Sequence, residues 1–450
     1  MADFRRIFVL ILGFGLCVAA PAAAQTEADE PPALEVDIVG GISAPMLIAV
    51  PPMPTPSAVA TLAGETASLG RQVAGIVSAD LARSGLFRPI GPAGLPVVAF
   101  AQVRAPDHNF WAGRGAQALV QGYVQANGDG TLTIGCYLFD SFARTELARQ
   151  GFVVPPALWR RAAHRCADMV YSRLTGESGY FDSRFVYVAE TGPKGRRVKR
   201  LAMMDQDGAN HRFLTNGQEV VLTPRLSPDQ RSIVYMSYVG ASPRAWIYDI
   251  ASGSQRLLVD RNAMTFAPRF SPDGRWVVFS MAIGGNTDIY RVAAAGGQPQ
   301  RLTSAPGIDT GGSVSPDGSR IVFESDRGGS QQLYVMDAGG SNQRRISFGA
   351  GRYATPAWSP RGDLIAFTRI GAGFRIGVMS PDGGGEKMLT EGWQDEGPSW
   401  APNGRVVGFF RTAQGSGKAD LWSVDLTGAN ERRIATPLDG SDPSWSVLLQ

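Results

Sequence analysis

The sequence predicts a mixed fold: a small N-terminal α/β domain, then an all-β six-bladed β-propeller closed by the C-terminal strand. Three observations predict it. First, one phrase recurs. APRFSPDGRWVVFSM at 267–281 returns as TPAWSPRGDLIAFTR at 355–369, with weaker copies at 223–237, 311–325 and 397–411. Its serines, Ser227, Ser271, Ser315 and Ser359, stand 44 residues apart; Ala401 and Ser446 extend the series after 42 and 45. A period near that length, built of short alternating apolar runs, matches a four-stranded propeller blade. Second, 55 glycines and 30 prolines supply the turns that many short strands need. Third, residues 34–176 lack the repeat and carry two stretches of helical periodicity instead.

Each repeat divides into four strands. An inner strand ends in the Ser-Pro-Asp-Gly turn, where proline fixes φ and glycine accepts positive φ. A β-branched and aromatic strand follows (WVVFS, RIVFES, LIAFT), then a third such as DIYRV or DLWSVD. After a Gly-containing turn comes a last strand such as QRLTS or RRIAT. Residues 184–190, 200–208 and 211–215 supply strands two to four of a blade whose first strand is missing. DPSWS at 442–446 supplies it from the other end, giving six blades and no open edge. Ser-Pro-Asp-Gly is thus a turn and not a catalytic Ser–Asp pair. Trp358, Trp400 and Trp445 share one repeat position and mark blade packing.

In the α/β domain, residues 45–50 read as a buried strand. Residues 69–86 read as an amphipathic helix with Leu69, Val73, Ile76, Val77 and Leu81 on one face, ended by Gly85. Residues 96–100 and 148–154 read as strands, and Asn-Gly-Asp-Gly at 127–130 as the turn of a hairpin. Residues 156–176 read as a second helix: Leu158, Ala162, Cys166, Met169, Val170 and Leu174 recur at helical spacing, between Pro156 and Gly176. Residues 177–183 link it to the propeller at 184–450.

Residues 1–24 read as a signal peptide: Arg5 and Arg6, an apolar run at 7–20, and Ala22 and Ala24 as the small residues before cleavage. No later apolar stretch is long enough to span a bilayer, so a soluble, exported product is expected. Export permits a disulfide between Cys136 and Cys166. Both sit on apolar faces, and two buried thiols is the reading adopted here. Residues 25–40 open acidic and Pro-containing and turn strand-like at LEVDIV, a segment able to add a strand to a partner.

Motifs for chemistry are missing. The net charge of +3 is too small and dispersed for nucleic acid. No G-x-S-x-G elbow, P-loop or dinucleotide fingerprint occurs in the required setting. His108, His164 and His211 read as surface or locally hydrogen-bonded histidines. His164 and Cys166 are i and i+2 on a helix and do not share a face. DQDGAN at 205–210 lacks most of a calcium loop and reads as a turn, like DLTGAN at 425–430. No enzyme activity, cofactor or metal is expected. The loops joining one blade's last strand to the next blade's first gather at one mouth of the channel, and they mix aromatic with polar residues as a protein interface does.

This layout resembles the TolB family, periplasmic components of the Tol-Pal system. LEVDIV resembles the family's first mature strand, GIVSADLARSGLFRPI at 75–90 its first helix and exit, and residues 158–188 its second helix and run into the first blade. The resemblance spans essentially the whole chain after residue 24. It implies a non-enzymatic role: binding the lipoprotein Pal at the propeller mouth and the C-terminal domain of TolA through the mature N-terminus, in support of outer-membrane integrity and of constriction at division. Carried over, Pal contacts fall on Met264, Thr265, Phe266, Asp309, Thr310, Tyr353, Thr355, Asp395 and Glu396. TolA contacts fall on Leu34, Glu35, Val36, Asp37, Ile38 and Val39. The chain departs from the family pattern at Thr310-Gly311-Gly312, commonly Thr-Glu-Pro, and at Met264, a histidine elsewhere. A peptidoglycan- or carbohydrate-binding propeller is the alternative reading.

Overall fold

Each copy of the repeat folds as one blade, because its apolar residues alternate and its turns fall where strands must reverse. The computed structural model describes Leu34, residues 44–238 and residues 242–449. The proposed signal peptide and residues 35–39 lie outside the described residues. Among those described, six four-stranded antiparallel sheets form the propeller. Their inner strands are Val221–Leu226, Met264–Phe270, Asp309–Val314, Arg352–Trp358, Asp395–Trp400 and Asp439–Trp445. The last pairs with Arg184–Thr191, Trp445 opposite Phe185 and Asp439 opposite Glu190, so the two ends of the propeller share one blade.

One position of the second strand carries Tyr187, Tyr235, Phe279, Phe323, Phe367 and Phe409, and all six rings are fully buried. Burying each contributes about 1.5–3 kcal/mol. The Ser-Pro-Asp-Gly phrase is a hydrogen-bonded turn. The Ser271 hydroxyl donates to Asp273 Oδ1 and accepts the Trp276 N–H at 3.0 Å. Ser227 and Ser315 repeat this with Asp229 and Asp317. The Ser315 hydroxyl, seconded by Ser319, holds the Asp317 carboxyl down at about 2.

The N-terminal domain has one five-stranded mixed sheet and a separate two-stranded ribbon. The domain's strands are β1 (Met46–Ala49), β2 (Ala60–Thr61), β3 (Gly64–Glu65), β4 (Phe87–Ile90), β5 (Ala118–Ala126), β6 (Leu132–Asp140) and β7 (Thr145–Val154). The ribbon pairs β2 with β3. In the five-stranded sheet the order is β4-β1-β5-β6-β7, with β1 parallel to both neighbours. Helices α1 (Thr66–Arg83) and α3 (Trp159–Thr175) cover one face through Leu69, Val73, Val77, Leu81, Val170 and Leu174. The short helix α2 (His108–Ala112) and a 3-10 turn at Phe100–Val103 cover the other, through Trp111 and Val103.

Three expectations are corrected. Residues 96–100 form no strand; Leu95 and Val98 pack against the Tyr137–Phe139 face without a ladder partner. Leu158 is exposed, because it precedes α3 in a 3-10 turn and its side chain leaves the apolar stripe. Cys136 and Cys166 are joined as a disulfide with Cα atoms 5.9 Å apart, stapling α3 to β6. Their burial on facing apolar surfaces is what brings them together, so the observation that favoured thiols also places the bridge. Closing a loop of 30 residues is worth roughly 3–4 kcal/mol in the chain-entropy account. The Cys136→Ala/Cys166→Ala protein should lose about that much in urea unfolding.

Residues 177–183 are packed rather than extended between domains. Tyr180 and Phe181 are buried edge-on against Tyr171 with centroids 5.7 Å away, and Tyr180 meets Trp445 at 6.0 Å. Asp168, on α3, accepts the Phe181 and Asp182 N–H groups at 2.7 and 3.0 Å. Ala401 and Val406 of the propeller join the core of the first domain.

Candidate protein-binding face

Blade topology gives the propeller two unlike faces. The Ser-Pro-Asp-Gly turns and the turns between third and fourth strands lie at one end. That end faces the α/β domain: Asn403 Nδ2 donates to Ser178 O at 3.2 Å, Arg361 meets Glu177 at 3.0 Å, and Asn430 Nδ2 donates to Arg83 O at 2.8 Å. The fourth-to-first-strand loops and the second-to-third-strand turns therefore form the opposite, open mouth.

The mouth carries large apolar side chains in solvent. Trp393 is 54 % exposed and Phe348 72 %, with Met264, Ile283 and Ile308 also exposed. Isolated bridges tie neighbouring loops together, Thr287 to Ile308 and Phe374 to Gln394. Between blades lies a cavity of about 410 Å³ lined by Ile308, Thr310, Glu324, Asp326, Gln331 and Arg352. Burial pushes the Glu324 carboxyl up to about 7, against the pull of the Thr355 N–H that it accepts at 2.9 Å. Burial also raises Glu396, against the Gln394 amide that donates to it at 2.8 Å; the Asp442 and Asp395 charges add to the rise. Exposed apolar side chains thus stand at the mouth beside the buried Glu324 and the half-buried Glu396.

The sequence-derived contact residues divide in two. Met264 is exposed, and Phe266, Thr310, Thr355 and Glu396 are half-buried. Thr265, Asp309, Tyr353 and Asp395 are buried and turned inward. Thr265 Oγ1 accepts the Ala245 N–H at 2.8 Å. Asp309 accepts Arg327 at 2.6 Å, and Asp395 accepts Arg411 on both oxygens at 2.6 and 2.8 Å. The Tyr353 hydroxyl donates to Glu386 at 2.9 Å. The carboxylates are frame members that fix arginines between loops, and the alternation of a strand explains it: Ile308 and Asp309 are adjacent and cannot share a face. Ile308 and Trp393 lie in mouth loops that the sequence marks, whereas Ile283 and Phe348 were missed as surface residues. Their apolar character, which ordinarily means core, hid them; their position in loops was the available signal. Of the proposed TolA segment, Leu34 is described and packs against the core of the first domain; the other five residues lie outside the described residues.

Among the described residues, His164, Asp205 and Asp207 could each offer an atom to one metal ion. Their charges are already met: Asp207 by Arg160, Asp205 by Arg184 at 3.5 Å, and His164 by Asp80 at 2.6 Å; Asn210 also donates to Asp205 at 2.6 Å. His164 is therefore buried and bonded across 84 residues of sequence, rather than at the surface or locally. The DQDGAN turn supplies Asp205 and Asp207, and so grips α3. No described helix is long and apolar enough to cross a membrane.

A family model for the TolB beta propeller domain matches residues 171–449, and one for the TolB amino-terminal domain matches 34–147. The chain is 73 % identical to the Tol-Pal system protein TolB of Zymomonas mobilis over 96 % of its own length and 94 % of that protein's. It is 72 % identical to the protein of the same name from Rhizorhabdus wittichii, covering 99 % of both. The crystal structure of TolB from Acinetobacter baumannii superposes with a TM-score of 0.77 at 27 % identity, over 92 % of this chain and 98 % of that one. With a TolB amino-terminal domain leading into a TolB propeller along essentially its whole described length, the chain belongs to the TolB family.

Proposed function

We propose that this protein is a periplasmic, non-enzymatic component of a Tol-Pal system that binds Pal through the open propeller mouth and the TolA C-terminal domain through residues 25–39. In that role it supports outer-membrane integrity and constriction during division. The observation that carries the reading is the set of exposed Met264, Ile283, Ile308, Phe348 and Trp393 on the face turned away from the α/β domain. Exposed apolar groups gathered in one place mark an interaction surface, and aromatic anchors dominate binding energy at such surfaces. Charged residues and an apolar run in the first 24 residues support export.

Hydrogen exchange tests both contacts. The soluble domain of the cognate Pal should slow exchange at 262–266, 306–310 and 393–396 and leave the Ser-Pro-Asp-Gly turns unchanged. Deleting residues 25–39 should abolish binding of the TolA domain while Pal still binds. Protection confined to the opposite face would place the Pal interface there instead, and sedimentation with purified sacculi in the absence of Pal would favour the peptidoglycan-binding reading.

A further inference from the structure

The channel holds a cavity of about 360 Å³ at the end away from the mouth. Its chemistry follows from a bulge repeated in every inner strand. Thr223, Ala267, Gly311, Thr355, Gly397 and Asp442 all have φ between 47° and 70°, and pairing slips at each of them. Two residues further on, the six inner strands present Arg225, Arg269, Ser313, Ala357, Ser399 and Ser444 at one level.

Every polar group at that level can donate, and none is a carboxylate. Arg225 Nη1 donates to the carbonyls of Pro224 and Pro443 at 2.7 and 3.4 Å, and Arg269 Nη1 to Ser313 Oγ at 3.2 Å. Ser313, Ser399 and Ser444 accept the backbone N–H of Trp358, Trp445 and Leu226 at 3.1, 2.8 and 3.1 Å. Those bonds occupy lone pairs and leave the hydroxyl protons for another acceptor. The acid facing Arg225 is Asp442, one level nearer the mouth, and it already accepts the Thr223 N–H at 3.0 Å. Asp442 thus answers Arg225, while the charge met by Arg269 is that of Arg225 itself. Both guanidiniums are surrounded by protein while part of their surface faces the cavity. Burial, and then the neighbouring Arg225, drive the Arg269 guanidinium well below its ordinary range, which shows how poorly the positive charge is met.

We propose that this end of the channel is an anion site, in which Arg225 and Arg269 hold a small oxyanion of the phosphate, sulfate or carboxylate class. Guanidinium groups match such oxygens in pairs, and the cavity exceeds by several-fold the roughly 30 Å³ share of one water molecule. An oxyanion here would offset the excess positive charge and bridge blades two and three from inside.

Isothermal titration of the whole protein with inorganic phosphate at constant ionic strength, with thermal unfolding in phosphate against chloride, tests this. Saturable binding and a raised Tm in phosphate are expected. Arg269→Gln should weaken binding by roughly tenfold or more, the size of one lost charge-assisted contact. Without oxyanion it should melt no earlier than the parent, because a buried charge has gone. Arg225→Gln is the second variant should the first fail to fold. No saturable heat with the parent, or undiminished binding by the variants, would overturn the proposal.

Discussion

Asp80→Ala is expected to cost about 3–5 kcal/mol of folding stability, the usual penalty for orphaning a buried charge. Asp80 is fully buried on α1 and accepts from three elements. Arg83 meets it at 2.6 Å, His164 of α3 at 2.6 Å, and Gln206 of the propeller at 2.8 Å. Removing the carboxylate leaves His164 with only Asp207, 3.9 Å away, as counter-charge, and Gln206 without this acceptor. Burial pulls the His164 pKa down, but the charge and hydrogen bond of Asp80 outweigh it and raise the value to about 9. The group is therefore protonated in the folded protein near neutrality. The sign follows from linkage. A histidine whose folded pKa exceeds its unfolded one contributes fully below about 6.5 and loses that contribution as pH climbs through about 9. Urea unfolding of the parent should weaken across that window, and Asp80→Ala should remove the part of the slope due to His164. An unfolding free energy for Asp80→Ala within about 1 kcal/mol of the parent would show the cluster to be slack.

Asp395→Ala should be comparably damaging, also by about 3–5 kcal/mol. Asp395 is fully buried, and Arg411 is fixed to it by two hydrogen bonds while also reaching Glu431 at 2.6 Å and lying 4.5 Å from the Trp422 ring centroid. The carboxylate's hydrogen bonds come first among the causes that raise the arginine's pKa, so the charge is firmly held. Loss of Asp395 frees the loop that carries Trp393. Partner binding should then fall together with stability. Trp393→Ala should behave differently, because a side chain 54 % exposed contributes little to the fold. Denaturation curves for the two variants check this: a Trp393→Ala protein as unstable as Asp395→Ala would put the tryptophan in the frame and not on the surface.

The propeller was legible because its period is written directly in the chain. Six aromatic rings and five turn phrases recur at nearly regular spacing, and the DPSWS strand that closes the ring bears the start of the same phrase. The face of α1 was legible for a similar reason, as Leu69, Val73, Ile76, Val77 and Leu81 all turn inward. The strand expected at 96–100 failed because an apolar run reports burial, and a ladder needs a partner that local sequence does not name. His164 and Asp80 were opaque because 84 residues separate them. At the mouth, residue type was misleading. Asp309 and Asp395 looked like surface and proved to be struts, whereas Ile283 and Phe348, apolar and outside the expected mouth loops, proved to be surface.

Calorimetric titration of the soluble Pal domain into the parent, Trp393→Ala and Met264→Asp proteins, with Leu62→Ala on the exposed β2–β3 ribbon as control, tests the mouth most directly. Binding through the mouth predicts affinities lowered by roughly tenfold or more for both mouth variants, the scale of an interface anchor, with melting temperatures and the control unchanged. Parent-like affinity in both mouth variants would contradict it.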